Sequence, residues 1–259
     1  MFYFGSNFKM TQTPSASRAF VTGLAEKLPA VLATLPPVQP FVIPPFTSLA
    51  GLAEICEPQM WLAAQNMHPE LSGAFTGEIS APMLAELGVQ LVMLGHAERR
   101  QVFGETDAYL QHKVDTALAR GLRVLLCVGE TSFERDQLVT MSTLTRQLRI
   151  ALHNVTSENL MGDMPRLLVA YEPVWAIGEG STPATSDAIA ESIIPLREVL
   201  TKKFPEVNVP LLYGGSVNLE NCRDYAALAG IDGLFVGRAA WTVEGYLEVL
   251  QAGALASHG

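Results

Sequence analysis

Short runs of consecutive apolar residues recur along the chain, at Phe2 to Phe4, Phe41 to Ile43, Trp61 to Ala64, Leu91 to Leu94, Val124 to Val128, Leu167 to Tyr171, Pro210 to Tyr213 and Gly233 to Val236. Each has strand length, and the lack of polar alternation predicts strands buried on both faces. Between them lie segments with helical spacing and helix-forming composition: Ser17 to Leu28, Ala81 to Leu87, Thr106 to Arg120, Thr140 to Asn154, Ser186 to Lys203, Leu219 to Leu228 and Thr242 to Leu250. This alternation predicts an α/β protein whose right-handed crossovers build a parallel sheet, and about eight such units can close into a (β/α)8 barrel. No early GxGxxG turn follows the first strand, which counts against a dinucleotide-binding sheet.

Composition narrows the picture. With 259 residues and 49% hydrophobic content the chain can bury a large core. No linker or short repeat divides it, so residues 1–259 are expected to form one domain. A net charge of −9 and a sequence pI near 5.0 disfavour nucleic acid and acidic membrane surfaces as partners. An anionic substrate therefore needs a local site. Cys56, Cys127 and Cys222 are odd in number and widely spaced, which points to buried thiols in a reducing compartment. The N-terminal stretch has no basic segment before an apolar core, and no apolar run reaches bilayer length, so a soluble cytoplasmic protein is expected.

In a parallel barrel the C-terminal strand ends share one mouth, where chemistry is built, while the opposite ends serve stability. That rule selects Asn7 and Lys9 after the first run, Gln65 and Asn66 after the third, His96 and Glu98 after the fourth, and Glu172 after the sixth. It also selects Gly214, Gly215 and Ser216 after the seventh, with Gly237 and Arg238 after the eighth. A strand-end glutamate alone is ordinarily a solvated boundary residue. Glu172 differs because Pro173 forces an abrupt exit from the strand, and Gly178 and Gly180 loosen the loop beyond it. This is a place for a base under a lid. His96 stands where an apolar run gives way to a charged, helix-starting segment, whose N-terminus would disfavour an imidazolium. A neutral imidazole there can donate to a carbonyl oxygen as negative charge develops. The Gly214-Gly215-Ser216 turn and Gly237 can bring backbone N–H groups to a phosphate, and barrels commonly bind phosphate after strands seven and eight.

Four segments, Asn7-Phe8-Lys9-Met10, Gly95 to Arg100, Tyr171 to Gly178 and Tyr213 to Val217, resemble the triosephosphate isomerase family, and Ala74 to Ser80 extends the match over nearly the whole chain. The resemblance implies a TIM barrel in which Glu172 removes a carbon-bound proton and returns it to the neighbouring carbon. It implies His96 as the electrophile, Lys9 offsetting phosphate and enediolate charge, Asn7 supporting the oxyanion site, and Glu98 orienting the lysine region. The Glu base, neutral His and closing lid are known properties of that family, carried over to this chain residue by residue. Gly178, Gly214, Gly215, Ser216 and the loop beginning at Gly237 resemble the phosphate grip, and no metal or organic cofactor is implied. Pro173-Val174-Trp175 resembles the first lid hinge, and Ser181-Thr182-Pro183 stands at the second. Met67 to Ser80 resembles an interface loop, with Thr76 approaching a partner's active site, which implies a homodimer.

Three residues depart from the family pattern. Ala97 stands where serine is usual, removing a hydroxyl that could hold Glu172 in an open position. Arg238 replaces a second glycine, and its guanidinium either reinforces phosphate binding or points outwards while the backbone binds. Pro183 stiffens the second hinge. The expected activity is triosephosphate isomerase, interconverting dihydroxyacetone phosphate and glyceraldehyde 3-phosphate in glycolysis and gluconeogenesis. The alternative is a tetrulose-phosphate isomerase with the same chemistry on a four-carbon sugar phosphate, supported by the altered hinge and eighth-strand loop. A non-catalytic phosphosugar sensor is the reading of a different class, and Glu172 with His96 argues against it.

Overall fold

The computed structural model describes residues 1–178 and 182–257. The strands are β1 Phe2–Asn7, β2 Val38–Ile43, β3 Trp61–Ala64, β4 Leu91–Leu94, β5 Arg123–Val128, β6 Leu167–Tyr171, β7 Leu211–Tyr213 and β8 Gly233–Val236. They pair in parallel in chain order and close as β1 meets β8, with Tyr3 opposite Gly233 and Ser6 opposite Val236.

The apolar runs resolve into two layers because successive side chains of a strand face opposite ways. Tyr3, Phe41, Ile43, Trp61, Ala63, Leu91, Met93, Leu125, Cys127, Leu168, Ala170, Leu212 and Phe235 form one buried cluster, which fills the barrel. Their strand neighbours, such as Phe2, Phe4, Val42, Leu62, Val92, Val124, Val169 and Leu211, join a second cluster with the surrounding helices. Both faces are apolar, which explains why the strands lack polar alternation.

Helix ends differ from the spacing-based expectation where local chemistry intervenes. The first helix runs Pro14–Leu32, longer than the expected Ser17 to Leu28, because Thr13 accepts from the Ala16 N–H at 3.3 Å and Pro14 suits the first helical turn. The expected Leu219 to Leu228 helix contracts to Cys222–Ala226, because Asn218 and Asn221 side chains accept from nearby backbone N–H groups and hold a turn before it. Four short helices at Ala53–Cys56, Ala97–Gln101, Ser132–Asp136 and Ser157–Leu160 carry too few turns for periodicity to reveal them. Glu179, Gly180 and Ser181 of the expected lid lie outside the described residues. No helix among the described residues is long and apolar enough to cross a membrane.

One charged cluster is sealed beneath the wall behind β3 and β4. Lys113, with a side chain only 1% exposed, donates to Glu105 Oε1 at 2.6 Å and to Asn66 Oδ1 at 2.9 Å. Arg99 Nη2 reaches the same carboxylate oxygen at 2.8 Å. Burial pushes the Glu105 carboxyl up, but the hydrogen bonds and charges of Lys113 and Arg99 outweigh it and hold the group below its ordinary value. Asn66 thus belongs to this cluster and not to the mouth, contrary to its place in the strand-end selection.

Removing Lys113 would leave the buried Glu105 carboxylate with only the partly exposed Arg99 as its charged partner. Lys113→Met is expected to lower unfolding stability by about 3–5 kcal/mol in urea titrations, with much of the loss recovered when Glu105→Leu is added. A neutral Lys113→Met would show that the ion pair is not a determinant of stability.

Candidate active site

The inward parity of each strand carries on into the residue that leaves it. Residues 168 and 170 face the barrel interior, so Glu172 follows them towards the axis. Asn7 follows Tyr3, Gln65 follows Ala63, and the equivalent positions above β5, β7 and β8 are Gly129, Gly214 and Gly237. A ring of inward side chains is therefore interrupted by glycines, and an open cavity of about 440 Å3 lies at the mouth.

Close approach explains two of those glycines. A Cβ at Gly129 would fall 1.9 Å from the Glu172 carbonyl oxygen, and one at Gly214 would fall 2.9 Å from Glu172 Cγ and 3.3 Å from Phe235 Cδ1. Glu172 is 3% exposed, with one carboxylate oxygen 3.6 Å from His96 Nε2 and the other, Oε2, without a hydrogen-bond partner among the described residues. It is turned into the cavity. Ala97 is buried and offers no hydroxyl to draw it away.

His96 caps the Ala97–Gln101 helix, and its Nδ1 accepts from the Glu98 N–H at 3.2 Å. An imidazole whose Nδ1 accepts carries its proton on Nε2, the nitrogen facing Glu172 and the cavity. Lys9 adopts a left-handed backbone, φ 49°, unusual for a residue with a side chain. Asn7 Oδ1 accepts its N–H at 2.9 Å, and Gln65 Nε2 donates to its carbonyl at 2.7 Å and to Asn7 Oδ1 at 3.3 Å. The Lys9 ammonium lies 2.6 Å from Glu98 Oε1, and Glu98 Oε2 is 3.8 Å from His96 Nδ1. Glu98 is half exposed and lies behind the lysine and histidine, outside the cavity lining.

The opposite side of the cavity is formed by Gly178, Gly214, Gly215, Ser216, Gly237 and Arg238. Arg238, an exposed residue of the cavity lining, begins a short 3-10 turn to Ala240. Lid hinge and loop touch directly. Ser216 donates its N–H, at 3.0 Å, and its hydroxyl, at 2.8 Å, to the Ala176 carbonyl. Trp175 Nε1 donates to Glu130 Oε1 at 2.7 Å, with the Arg135 guanidinium 4.3 Å above the indole ring. Burial raises the Glu130 carboxyl above its ordinary value, against the hydrogen bonds from Trp175 and Tyr171. At the far hinge the Tyr225 hydroxyl donates to Ala184 O at 2.5 Å, beside Pro183 in the cavity wall.

The structure thus brings Asn7, Lys9, His96 and Glu172 together with Gly178, Gly214, Gly215, Ser216, Gly237 and Arg238 around one cavity. Sequence reasoning passed over Ile177, Asn218, Phe235 and Trp241 as wall residues and Glu130 as the anchor of the first hinge. The inward parity of Phe235 and the position of Glu130 just beyond β5 were available signals. Cys127 has its thiol pushed up first by burial and then by the Glu172 charge, as befits a structural thiol. Among the described residues no group of three or more His, Cys, Asp or Glu side chains could hold a metal ion.

A family model described as triosephosphate isomerase matches residues 2–253. A protein of Rhizobium etli named L-erythrulose-1-phosphate isomerase is 46% identical over 247 residues, covering 95% of this chain and 90% of its own. Proteins of the same name from Brucella abortus biovar 1 and Mesorhizobium japonicum are 43% and 39% identical, covering 96% of this chain and 95% and 96% of their own. These relatives correct the expected triosephosphate isomerase activity. They favour its alternative, a four-carbon substrate, which the motifs around Glu172 and His96 could not separate from the three-carbon one.

Proposed function

The chain belongs to the triosephosphate isomerase family and is an isomerase, and from that premise we propose that its substrate is L-erythrulose 1-phosphate. The observation that carries the reading is a base, an imidazole donor and an ammonium around one cavity, Glu172, His96 and Lys9, in a chain similar over nearly its whole length to proteins named for that reaction.

In L-erythrulose 1-phosphate the carbonyl is at C2 and the phosphate at C1. Glu172 takes the proton from C3, and the C–H electron pair forms the C2–C3 double bond as charge moves onto the C2 oxygen. His96 Nε2–H donates to the enediolate oxygens and moves a proton between them, while Lys9 and Asn7 hold the negative charge. Glu172 then returns its proton to C2, leaving the carbonyl at the former C3. Numbered from the other end, the product is erythrulose 4-phosphate, so both partners are ketoses and atoms balance without an added reagent. Proton loss at C1 would be unproductive, because C1 already carries the phosphate oxygen.

The phosphate is held by backbone N–H groups of Gly178, Gly215, Ser216 and Gly237, with Arg238 adding charge at the rim. The Gly214 N–H is spent on the Tyr171 carbonyl at 2.8 Å, so Gly214, expected among the phosphate donors, contributes only the room its missing Cβ leaves for Glu172. Engaging Ser216 competes with its bonds to Ala176 O, so substrate phosphate loosens the first hinge from its resting contact. Closure matters because an enediolate carrying phosphate on the adjacent carbon can expel it when exposed to water. Glu98 orients Lys9 from behind.

A homodimer is part of this reading. The loop from Ser72 to Glu78 is exposed and carries Phe75 and Thr76, and Met83, Val102 and Phe103 are further exposed apolar residues. The three free buried cysteines support a cytoplasmic setting, and a four-carbon substrate takes the reaction out of the glycolytic setting that a triose implies.

With one purified preparation, kcat/KM for L-erythrulose 1-phosphate is expected to exceed that for dihydroxyacetone phosphate by about 10- to 100-fold, since the added hydroxymethyl is recognised by the site. Preference for the triose would overturn the assignment. Glu172→Asp withdraws the base by one methylene and is expected to cut kcat on the order of 100-fold with the melting temperature unchanged. Near-wild-type turnover would remove Glu172 from the mechanism. Sedimentation at micromolar concentration is expected to give a dimer, and a monomer of full activity would contradict the shared interface.

A further inference from the structure

Trp241 ends the loop after β8, and its place is set by where strand pairing stops. The β1–β8 ladder finishes at Ser6 opposite Val236, so Asn7 would next face Gly237. The chain turns away there, with Gly237 at φ −94° and ψ −118°, into the 3-10 turn Arg238–Ala240. The Asn7 carbonyl consequently loses the donor that a continuing β8 would have given it. Trp241 Nε1 supplies one, 2.9 Å from Asn7 O, across 234 positions of sequence.

The indole is half-buried and lines the cavity. The peptide it grips is the one from which the Lys9 bend starts: the Asn7 side chain accepts the Lys9 N–H at 2.9 Å, and Lys9 itself holds φ 49°. A left-handed lysine is an unfavourable backbone state that its surroundings must enforce. The same loop has a second tie to β1, from Ser6 Oγ to Ala240 O at 3.4 Å, but this one reaches the turn and not the Asn7 peptide.

Building on the isomerase reading above, we propose that Trp241 is a positioning residue: its indole N–H fixes the Asn7 peptide, and so the angle at which Lys9 meets the developing enediolate, from the same loop that contributes to the phosphate grip. This hydrogen bond extends the β1–β8 connection past the end of the ladder, to the peptide that leads into Lys9. A side chain that acts on the ammonium only through the backbone changes the chemical step more than it changes phosphate binding.

Trp241→Phe keeps most of the ring and removes the donor. With L-erythrulose 1-phosphate it is expected to lower kcat about 10-fold, while KM and the inhibition constant of inorganic phosphate stay within about 2-fold. In the free protein, hydrogen exchange at the Lys9 amide is expected to quicken. Ser6→Ala, which cuts the other tie, should leave both readouts within about 2-fold of wild type. Wild-type kcat in Trp241→Phe, a parallel weakening of phosphate inhibition, the same loss in Ser6→Ala, or unchanged Lys9 exchange would each overturn the proposal. If Trp241→Phe does not fold, β-(3-benzothienyl)-alanine at 241 keeps the indole shape without its N–H and gives the same decision. If wild-type protein fails to turn over L-erythrulose 1-phosphate, the substrate assignment falls, and amide exchange at Lys9, which needs no substrate, still decides the role of Trp241.

Discussion

The pleat of a closed parallel barrel governs this molecule, because once the register is set every second side chain of each strand has to face the axis. Low on the strands that rule produces a solid core of Tyr3, Phe41, Trp61, Met93, Leu125, Leu168, Leu212 and Phe235. At the mouth it produces chemistry. Asn7, Gln65 and Glu172 occupy inward positions one step above that core, and Gly129, Gly214 and Gly237 occupy others. Where a glycine stands, the next strand's side chain can lean across, as Glu172 does over Gly214. The cavity is the space left by side chains that the pleat calls for and the sequence withholds.

The Trp175–Ala176 segment, the proposed first hinge, is tied to the rest of the site through few and individually modest bonds. A typical intramolecular hydrogen bond contributes about 1 kcal/mol net, and bonds to charged groups somewhat more. Ala176 O rests on two Ser216 donors, and Trp175 rests on the buried Glu130 carboxyl. A dianionic phosphate is a stronger acceptor than a peptide carbonyl. On the proposed reading, a substrate phosphate competes on favourable terms for the Ser216 donors that Ala176 O now accepts.

Much of this was legible because it follows from periodicity and position. All eight apolar runs became strands, Leu167 to Tyr171 and Trp61 to Ala64 with the expected limits, since burial on both faces leaves a signal that turn residues bracket. Lys9, His96 and Glu172 were found from their places just beyond such runs. What escaped notice depends on contacts distant in sequence. Asn66 shares the strand-end signature of Gln65, yet its neighbour Lys113 comes from a helix 47 positions away and draws it into the wall. Trp241 looks like an apolar residue before a helix, and only barrel closure brings its N–H to Asn7. A four-carbon substrate was legible only as an alternative, from the Pro183 hinge and the Arg238 loop, for a chemical reason: proton transfer between adjacent carbons needs the same base and donors whether the distal carbon carries hydrogen or hydroxymethyl.

Buried polar atoms without a hydrogen-bond partner among the described residues occur both at the mouth and away from it, as at Gln59 and Arg123. Glu172 Oε2, Glu130 Oε2 and the Tyr213 hydroxyl are all buried without a hydrogen-bond partner among the described residues, and they belong to the proposed base, the first hinge and the strand that leads into the phosphate loop. An unpaired buried polar group costs about 1–3 kcal/mol, more when charged, so each of these positions weighs against stability. Glu172 shows why the cost persists. A partner for Oε2 would hold the carboxylate in one direction, whereas the proposed base, which lifts a proton from one carbon and returns it to the next, keeps that oxygen without one, its Cγ lying close over Gly214. Hydrogen bonding would make the resting protein more stable and the proton harder to take up. The glycines that admit Glu172 and the absence of a hydroxyl at Ala97 act in the same direction, leaving the base poised towards His96 and the cavity instead of satisfied elsewhere.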